Sequence, residues 1–251
     1  MKKQLKVKEK EWDILVNLIK YSKKTWIKIF EKPFLKSPIA IAASQGLRSV
    51  GRLALDYLIE YFNPKLIAEV HSYYFPLIHG SKPSYIPDPN LTGEAGIFLF
   101  EEEIEIPCIK NYLIDSHEII LTYGYQADFK GQYEVVEAVL EFYKEIGIKK
   151  IIVLAGYTGG NENVCCAANN SNILKEMEKY GLKPFYKGPF YGFSGILLGL
   201  SKFYNIDGLC LFGKTKPNIE DPEEPDIEAS KNVLYKLSEI LNLKIDFSNI
   251  E

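Results

Sequence analysis

Arginine is nearly missing from this chain: of its 30 basic residues only Arg48 and Arg52 are arginines, and the rest are lysines. Nowhere do the basic residues form a block, and the formal net charge is −3. Both facts exclude a groove that tracks phosphates along nucleic acid. Long apolar runs are missing too, with nothing near the ~18 residues a membrane-spanning helix requires. The opening MKKQLKVKEKEWD has no apolar secretion segment behind it. Cysteine occurs at 108, 165, 166 and 210 only, with no CxxC pair. Neighbours such as Cys165 and Cys166 suit neither a mutual disulfide nor a tetrahedral metal site. Together these absences predict a soluble, cytoplasmic protein with reduced thiols and no affinity for nucleic acid or membrane.

Several catalytic signatures are missing as well. No GxxxxGK[ST] stretch occurs, and Gly156-Tyr157-Thr158-Gly159-Gly160 lacks the spacing of a dinucleotide fingerprint. Ser194 stands in Gly192-Phe193-Ser194-Gly195, which is not a GxSxG elbow, so it reads as a helix N-cap rather than a nucleophile. His71, His79 and His117 share no i, i+4 spacing. The carboxylates Glu220, Asp221, Glu223, Glu224 and Asp226 fit no EF-hand and precede a helix start, where negative charge is favourable in any case. No cofactor and no metal are expected.

What is present is a well-patterned α/β chain. With 251 residues, 47% of them hydrophobic, it can bury the core of one large domain. Residues 37–251 are expected to form it, and residues 1–36 to be an extension with a helix near Trp12 and a short strand near Trp26. The organising stretch is Ile39 to Phe62: five apolar residues, a break at Ser44-Gln45-Gly46, then a helix. Its inward stripe is expected at Val50, Leu53, Ala54, Tyr57, Leu58 and Phe62. Further strands are predicted at Lys65–Ser72, Glu118–Tyr123, Lys150–Ala155 and Gly208–Gly213, and a hairpin from Ala95 to Ile109 around Glu101–Glu103. Helices are predicted over 132–146, 171–180, 194–203 and 229–241, with Asp226 as an N-cap and Gly181 as a stop. Gly195 and Gly199 each weaken a helix by about 1 kcal/mol, so close backbone packing is expected at both. Strands that end in glycine-containing loops and lead into helices make an α/β three-layer sandwich with a mixed, mostly parallel sheet.

Such sheets place sites at the carboxyl ends of their strands. The candidate loops are Ser44, Gln45, Gly46, Arg48 and Arg52; Gln126 and Asp128; Gly156, Tyr157 and Glu162; and Gly188, Tyr191 and Ser194. Arginine in a lysine-rich chain suits a carboxylate, a phosphate or a partner surface; an ordinary ion pair with a neighbouring Glu is the plain alternative. An enzyme would use Arg48 and the first helix start for an anion, with Asp128 or Glu162 as acid or base. A binding protein would instead use loop aromatics. The long Pro-rich segment from Tyr73 to Gly93 offers Tyr73, Tyr74, Phe75 and Tyr85, and Tyr157, Phe190 and Tyr191 are further exposed candidates.

In this order and spacing the residues resemble the proteasome assembly chaperone 2 family and its archaeal and bacterial relatives. The resemblance is carried by Gly46, Val50, Gly51 and Tyr57-Leu58-Ile59; by Ala68-Glu69 leading to Tyr74-Phe75-Pro76; and by Gly124 and Gln126. It continues through Leu154-Ala155-Gly156-Tyr157, Gly188-Pro189, Ser194-Gly195-Ile196-Leu197-Leu198-Gly199-Leu200, Leu211-Phe212-Gly213 and Asp221-Pro222. It implies a nucleoside-phosphorylase-like fold, homo-oligomers, and ATP-independent binding to proteasome subunits or related proteins. Some members end in a hydrophobic residue, a tyrosine and one more residue, which dock on the proteasome; Ser248-Asn249-Ile250-Glu251 departs from that pattern. The alternative expectation is a small-molecule-binding, hydrolase-like or phosphorylase-like protein that uses the same strand-end loops.

Overall fold

The computed structural model describes residues 24–75, 98–99, 104–184, 188–218, 220–221 and 224–247. In chain order the elements are β1 (Thr25–Ile29), β2 (Ile39–Ala43), α1 (Val50–Phe62), β3 (Lys65–Ser72), β4 (Phe98–Leu99), β5 (Ile104–Glu105), β6 (Ile109–Ile114) and β7 (Ile119–Tyr123). They continue with α2 (Gln132–Glu145), β8 (Lys150–Tyr157), β9 (Val164–Ala168), α3 (Ser171–Met177), α4 (Gly192–Ser201), β10 (Asp207–Lys214) and α5 (Ile227–Leu241). Eight of the strands make one sheet in the order β1-β3-β6-β7-β2-β8-β10-β9, and β4 pairs with β5 in a separate hairpin.

The sheet is mixed, as expected, with its parallel part confined to the middle. Strands β7, β2, β8 and β10 run parallel to one another. The flanking pairs β1-β3, β3-β6, β6-β7 and β10-β9 are antiparallel. Burial explains the difference. The central β2, IAIAA, is covered on both faces and alternates between two cores: Ala40 and Ala42 pack with α2 and α4, Ile41 and Ala43 with α1, α3 and α5. That gives the three layers, helices on either side of the sheet.

The inward stripe of α1 differs from the expected one. Val50, Gly51, Ala54, Leu55 and Leu58 are buried, whereas Leu53, Tyr57 and Phe62 are only partly so. Gly51 sets this rotation, because it brings the helix backbone directly onto β8: a Cβ there would lie 2.0 Å from the Leu154 carbonyl oxygen. In α2 the residues at helical spacing, Val135, Val136, Val139, Leu140 and Tyr143, are buried as that spacing predicts, and Phe142 is buried beside them. Asp226 caps α5 by accepting from the Ala229 N–H at 2.9 Å, and Gly181 ends the 178–180 turn at φ 70°. Close backbone packing holds at Gly195, whose Cβ would sit 2.1 Å from the Phe190 carbonyl, but not at Gly199, which has open space beside it.

The strand expected near Trp26 is β1, and it joins the main sheet, antiparallel to β3, with the Thr25 and Ser72 hydroxyls 2.9 Å apart. The helix expected near Trp12, the turn at 101–103, Tyr85 and most of the Tyr73–Gly93 segment lie outside the described residues. The four cysteines are buried, and none is in a disulfide. Among the described residues no helix is long and apolar enough to cross a membrane.

Candidate functional site

Adjacent parallel strands β2 and β7 feed helices on opposite faces of the sheet, since α1 belongs to one core and α2 to the other. That is a topological switch point, where an open α/β sheet leaves a crevice at its carboxyl edge. The crevice here is a cavity of about 620 Å³, within the usual range for ligand pockets. Ser44, Gln45, Gly46, Gln126, Asp128, Gly156, Tyr157, Tyr191 and Ser194 line it, as the loop reasoning anticipated. It also takes in Phe190, one of the aromatic binding candidates, and Leu47, Phe129, Leu154, Ala155 and Pro189, which the loop reasoning does not name, and its lining is predominantly apolar. Phe129 follows the strand-end Asp128, so its aromatic character is the available clue.

A buried amide holds the loops around the cavity together. Gln126 Nε2 donates to Ser44 Oγ at 3.1 Å and to the Gln45 carbonyl at 2.9 Å. Its Oε1 accepts from the Phe193 N–H at 3.0 Å. Ser44 and Ser194 hydroxyls complete the set at 3.1 Å. Ser194 is therefore not an N-cap: α4 starts two residues earlier, at Gly192, and the hydroxyl of Ser194 reaches Ser44, the residue after β2, instead. Gly192 has φ +73°, and a Cβ on it would press on the Gln126 amide at 2.7 Å, so glycine is required there. No histidine or ionised group stands in this network, which reads as a latch between three segments rather than a nucleophile and base.

Both arginines are spent elsewhere. Arg48 sits in the turn after β2, where it and Ser49 adopt left-handed φ of 45° and 49°, a conformation that costs roughly 1–2 kcal/mol per non-glycine residue. Its Nε donates to the Glu224 carbonyl at 2.7 Å, one terminal nitrogen to the Lys216 carbonyl at 3.2 Å, and the other to the Glu224 carboxylate at 3.1 Å. The Arg48 carbonyl accepts from the Asp226 N–H at 2.9 Å. Arg48 thus clamps the acidic segment before α5 and does not face the cavity as an anion site. Replacing it with alanine should lower stability by about 1–2 kcal/mol, discounted for the exposed Glu224, and should speed proteolysis within 215–226. Lysine should rescue only part, because it has no fork; thermal melts and limited proteolysis of R48A and R48K measure both.

Arg52 lies over the Tyr123 ring and donates to Asp56 at 3.2 Å. Burial lowers its guanidinium to about 10, with Asp56 opposing that in part. It joins α1 to β7. Glu162 is also outside the cavity: its carboxylate pairs with Lys183 at 2.8 Å, and its carbonyl accepts from the Tyr157 hydroxyl at 2.6 Å. Burial pushes that hydroxyl up to about 12, so Tyr157 is neutral at ordinary pH. Gly188 precedes the lining residue Pro189 without lining the cavity itself.

The aromatic candidates divide. Tyr73 and Tyr191 are exposed, at 78% and 75%. Phe75 and Tyr157 are buried, contrary to expectation. Phe75 packs edge-on against Tyr125, and Tyr157 edge-on against Phe212. Tyr74 is partly buried over Gly131, and Phe190 packs on Phe212.

Fold and cavity define a three-layer α/β protein with a largely apolar cavity at the switch point of its sheet. The chain belongs to the PAC2 family, whose model matches residues 40–251. An uncharacterized protein of Methanocaldococcus jannaschii is 24% identical over 227 residues, covering 86% of this chain and 79% of that one. Among solved structures, Pyrococcus furiosus PbaB, an archaeal proteasome activator, has a TM-score of 0.72 at 24% identity, with 91% of this chain and 93% of that chain covered. Pyrococcus furiosus PbaA, an archaeal homolog of proteasome-assembly chaperone, gives 0.69 at 21% identity, with 90% and 89% covered. A PAC2 family protein from Streptomyces avermitilis gives 0.66 at 16% identity, with 85% and 90% covered. At these identities the structural likeness establishes the shared fold.

Proposed function

We propose that this chain is a cytoplasmic, ATP-independent chaperone that binds other proteins, as a homo-oligomer, and assists assembly of a proteasome or a related complex. The observation that carries the reading is PAC2 family membership over residues 40–251. The likeness to PbaB, an archaeal proteasome activator, and to PbaA, an archaeal homolog of proteasome-assembly chaperone, points the same way. The chemistry of the switch-point cavity is in keeping with it. No lysine or arginine is found among its described lining residues to balance a triphosphate, and the Ser44 and Ser194 hydroxyls are tied to each other and to the Gln126 amide rather than to a histidine or carboxylate.

Affinity purification of the tagged protein from its own cells, with mass spectrometry of what remains bound in moderate salt, tests the reading. Proteasome α or β subunits are expected. Recovery of the chain alone, together with saturable binding of a nucleotide or phosphorylated metabolite, would replace it with the small-molecule reading.

A further inference from the structure

Among the described residues that line the switch-point cavity, Asp128 is the only one that carries a charge at neutral pH. Its backbone is fixed, with the N–H donating to the Tyr74 carbonyl at 2.9 Å and the carbonyl accepting from Gly131. Its carboxylate has no ion-pair partner among the described residues, and Lys130, two residues on, does not line the cavity. The apolar residues that line the same cavity include Leu47, Ala155 and Phe190. Two aromatic residues that line the same cavity, Phe129 and Tyr191, are nevertheless 76% and 75% exposed. Exposed large rings at a pocket mouth leave contact area outside the cavity that a ligand confined to it would not cover.

We propose that this cavity is the docking site for a short polypeptide segment of a partner that carries a bulky apolar side chain next to a lysine or arginine. The proposal rests on the protein-binding reading above and gives that reading its face. The apolar side chain enters between Leu47, Ala155 and Phe190, where burial drives it. The neighbouring cation meets the Asp128 carboxylate and the faces of Phe129 and Tyr191, which attract it through charge and through their ring quadrupoles. The site is also held in advance of any partner: every polar atom of the Gln126 side chain is engaged in tying the surrounding loops, so little ordering cost remains at binding. An anionic ligand is disfavoured for the same electrostatic reason that a cation is favoured.

Fluorescence anisotropy of the full chain with a labelled short peptide of alternating leucine and lysine around one phenylalanine tests this, against a matched peptide with glutamate for lysine. The basic peptide is expected to bind about tenfold more tightly. Asp128→Lys should reverse that preference, and Leu47→Trp, at a position already 37% exposed, should block both peptides while the thermal melt stays near that of the wild type. Equal binding of the two peptides, or binding unchanged in both variants, overturns the proposal. So does Asp128-dependent binding of phenethylamine with no binding of either peptide, which would make the occupant a small amine. The two readings separate cleanly. If Leu47→Trp still co-purifies with proteasome subunits, the chaperone reading stands and this site falls. If the wild type captures no such subunit yet binds the basic peptide, the site stands and the proteasome partner falls.

Discussion

Gly51→Ala is expected to destabilise the protein by about 3 kcal/mol or more, although the same change in an exposed helix would stabilise it by about 1 kcal/mol. The two effects have opposite signs, and geometry decides between them. A methyl group at this position would lie 2.0 Å from the Leu154 carbonyl oxygen, 2.4 Å from its carbon and 2.9 Å from the Ala155 nitrogen. All three are backbone atoms in β8, a central strand paired on both sides, so no flexible side chain can give way. The whole of α1 must lift instead, which loosens Val50, Ala54, Leu55 and Leu58 from the sheet together. Denaturant titration of G51A should show the loss as a lower midpoint. A wild-type midpoint would mean that α1 and β8 are not in backbone contact. Gly195, whose added Cβ would meet the Phe190 carbonyl at 2.1 Å, offers a parallel case on the other face of the sheet.

Much of this architecture is legible in the residues because burial imposes simple periods. Lys65–Ser72 is read to the residue, and the centres of β7, β8, β10, α2 and α5 fall where apolar runs and period-3.6 stripes put them. The misses have physical causes. Strand β9, Val-Cys-Cys-Ala-Ala, is a short edge strand whose adjacent cysteines drew attention to thiol chemistry; only its pairing with β10 reveals it as a strand. Strand β6 begins two residues after Pro107, and the expected hairpin, which runs to Ile109, in fact pairs only as far as Glu105. The parallel character of the sheet was overstated because strand direction depends on connections, which local patterning does not encode.

The candidate site shows the same division at the level of single residues. Loops at the carboxyl edge are readable as loops, so Ser44, Gln126, Asp128, Tyr157 and Tyr191 all reach one cavity. Which way a long side chain turns is not readable. Arg48 stands out because a rigid fork of donors suits an anion, and each of its three nitrogens does donate, to two carbonyls and a carboxylate of its own chain. The scarcity of arginine marked a place where bidentate geometry matters, and the anion turned out to be internal. Phe75 and Tyr157 show the complementary error: an aromatic residue beside a loop supplies core as readily as interface, and these two lie under it.

Gln126→Leu is expected to cost about 3 kcal/mol, nearly all of it from groups other than the glutamine itself. Leucine fills a similar volume, but it leaves the buried Phe193 N–H without its partner and takes the 2.9 Å amide donor from the Gln45 carbonyl, which retains the Ser44 hydroxyl at 3.4 Å. The orphaned N–H carries a penalty of about 1–3 kcal/mol and the lost amide bond about 0.5–1.5 kcal/mol, whereas the Ser44 hydroxyl keeps Ser194 at 3.1 Å. Gln126→Glu should be intermediate, because a carboxylate still accepts from Phe193 but turns lone pairs toward the Gln45 carbonyl. The damage should also be local, unlike that of G51A. Hydrogen exchange is expected to rise at residues 45–49 and 192–195 while α2 and α5 stay protected, since the latch ties loops and not the central sheet. Binding of any partner at the cavity should fall in step with that exchange, because the walls formed by Leu47, Phe190 and Tyr191 depend on the segments that Gln126 joins. Faster exchange with unaltered partner binding would place the binding face elsewhere on the molecule; a melt and an exchange pattern equal to the wild type would show that these loops hold their positions without the amide.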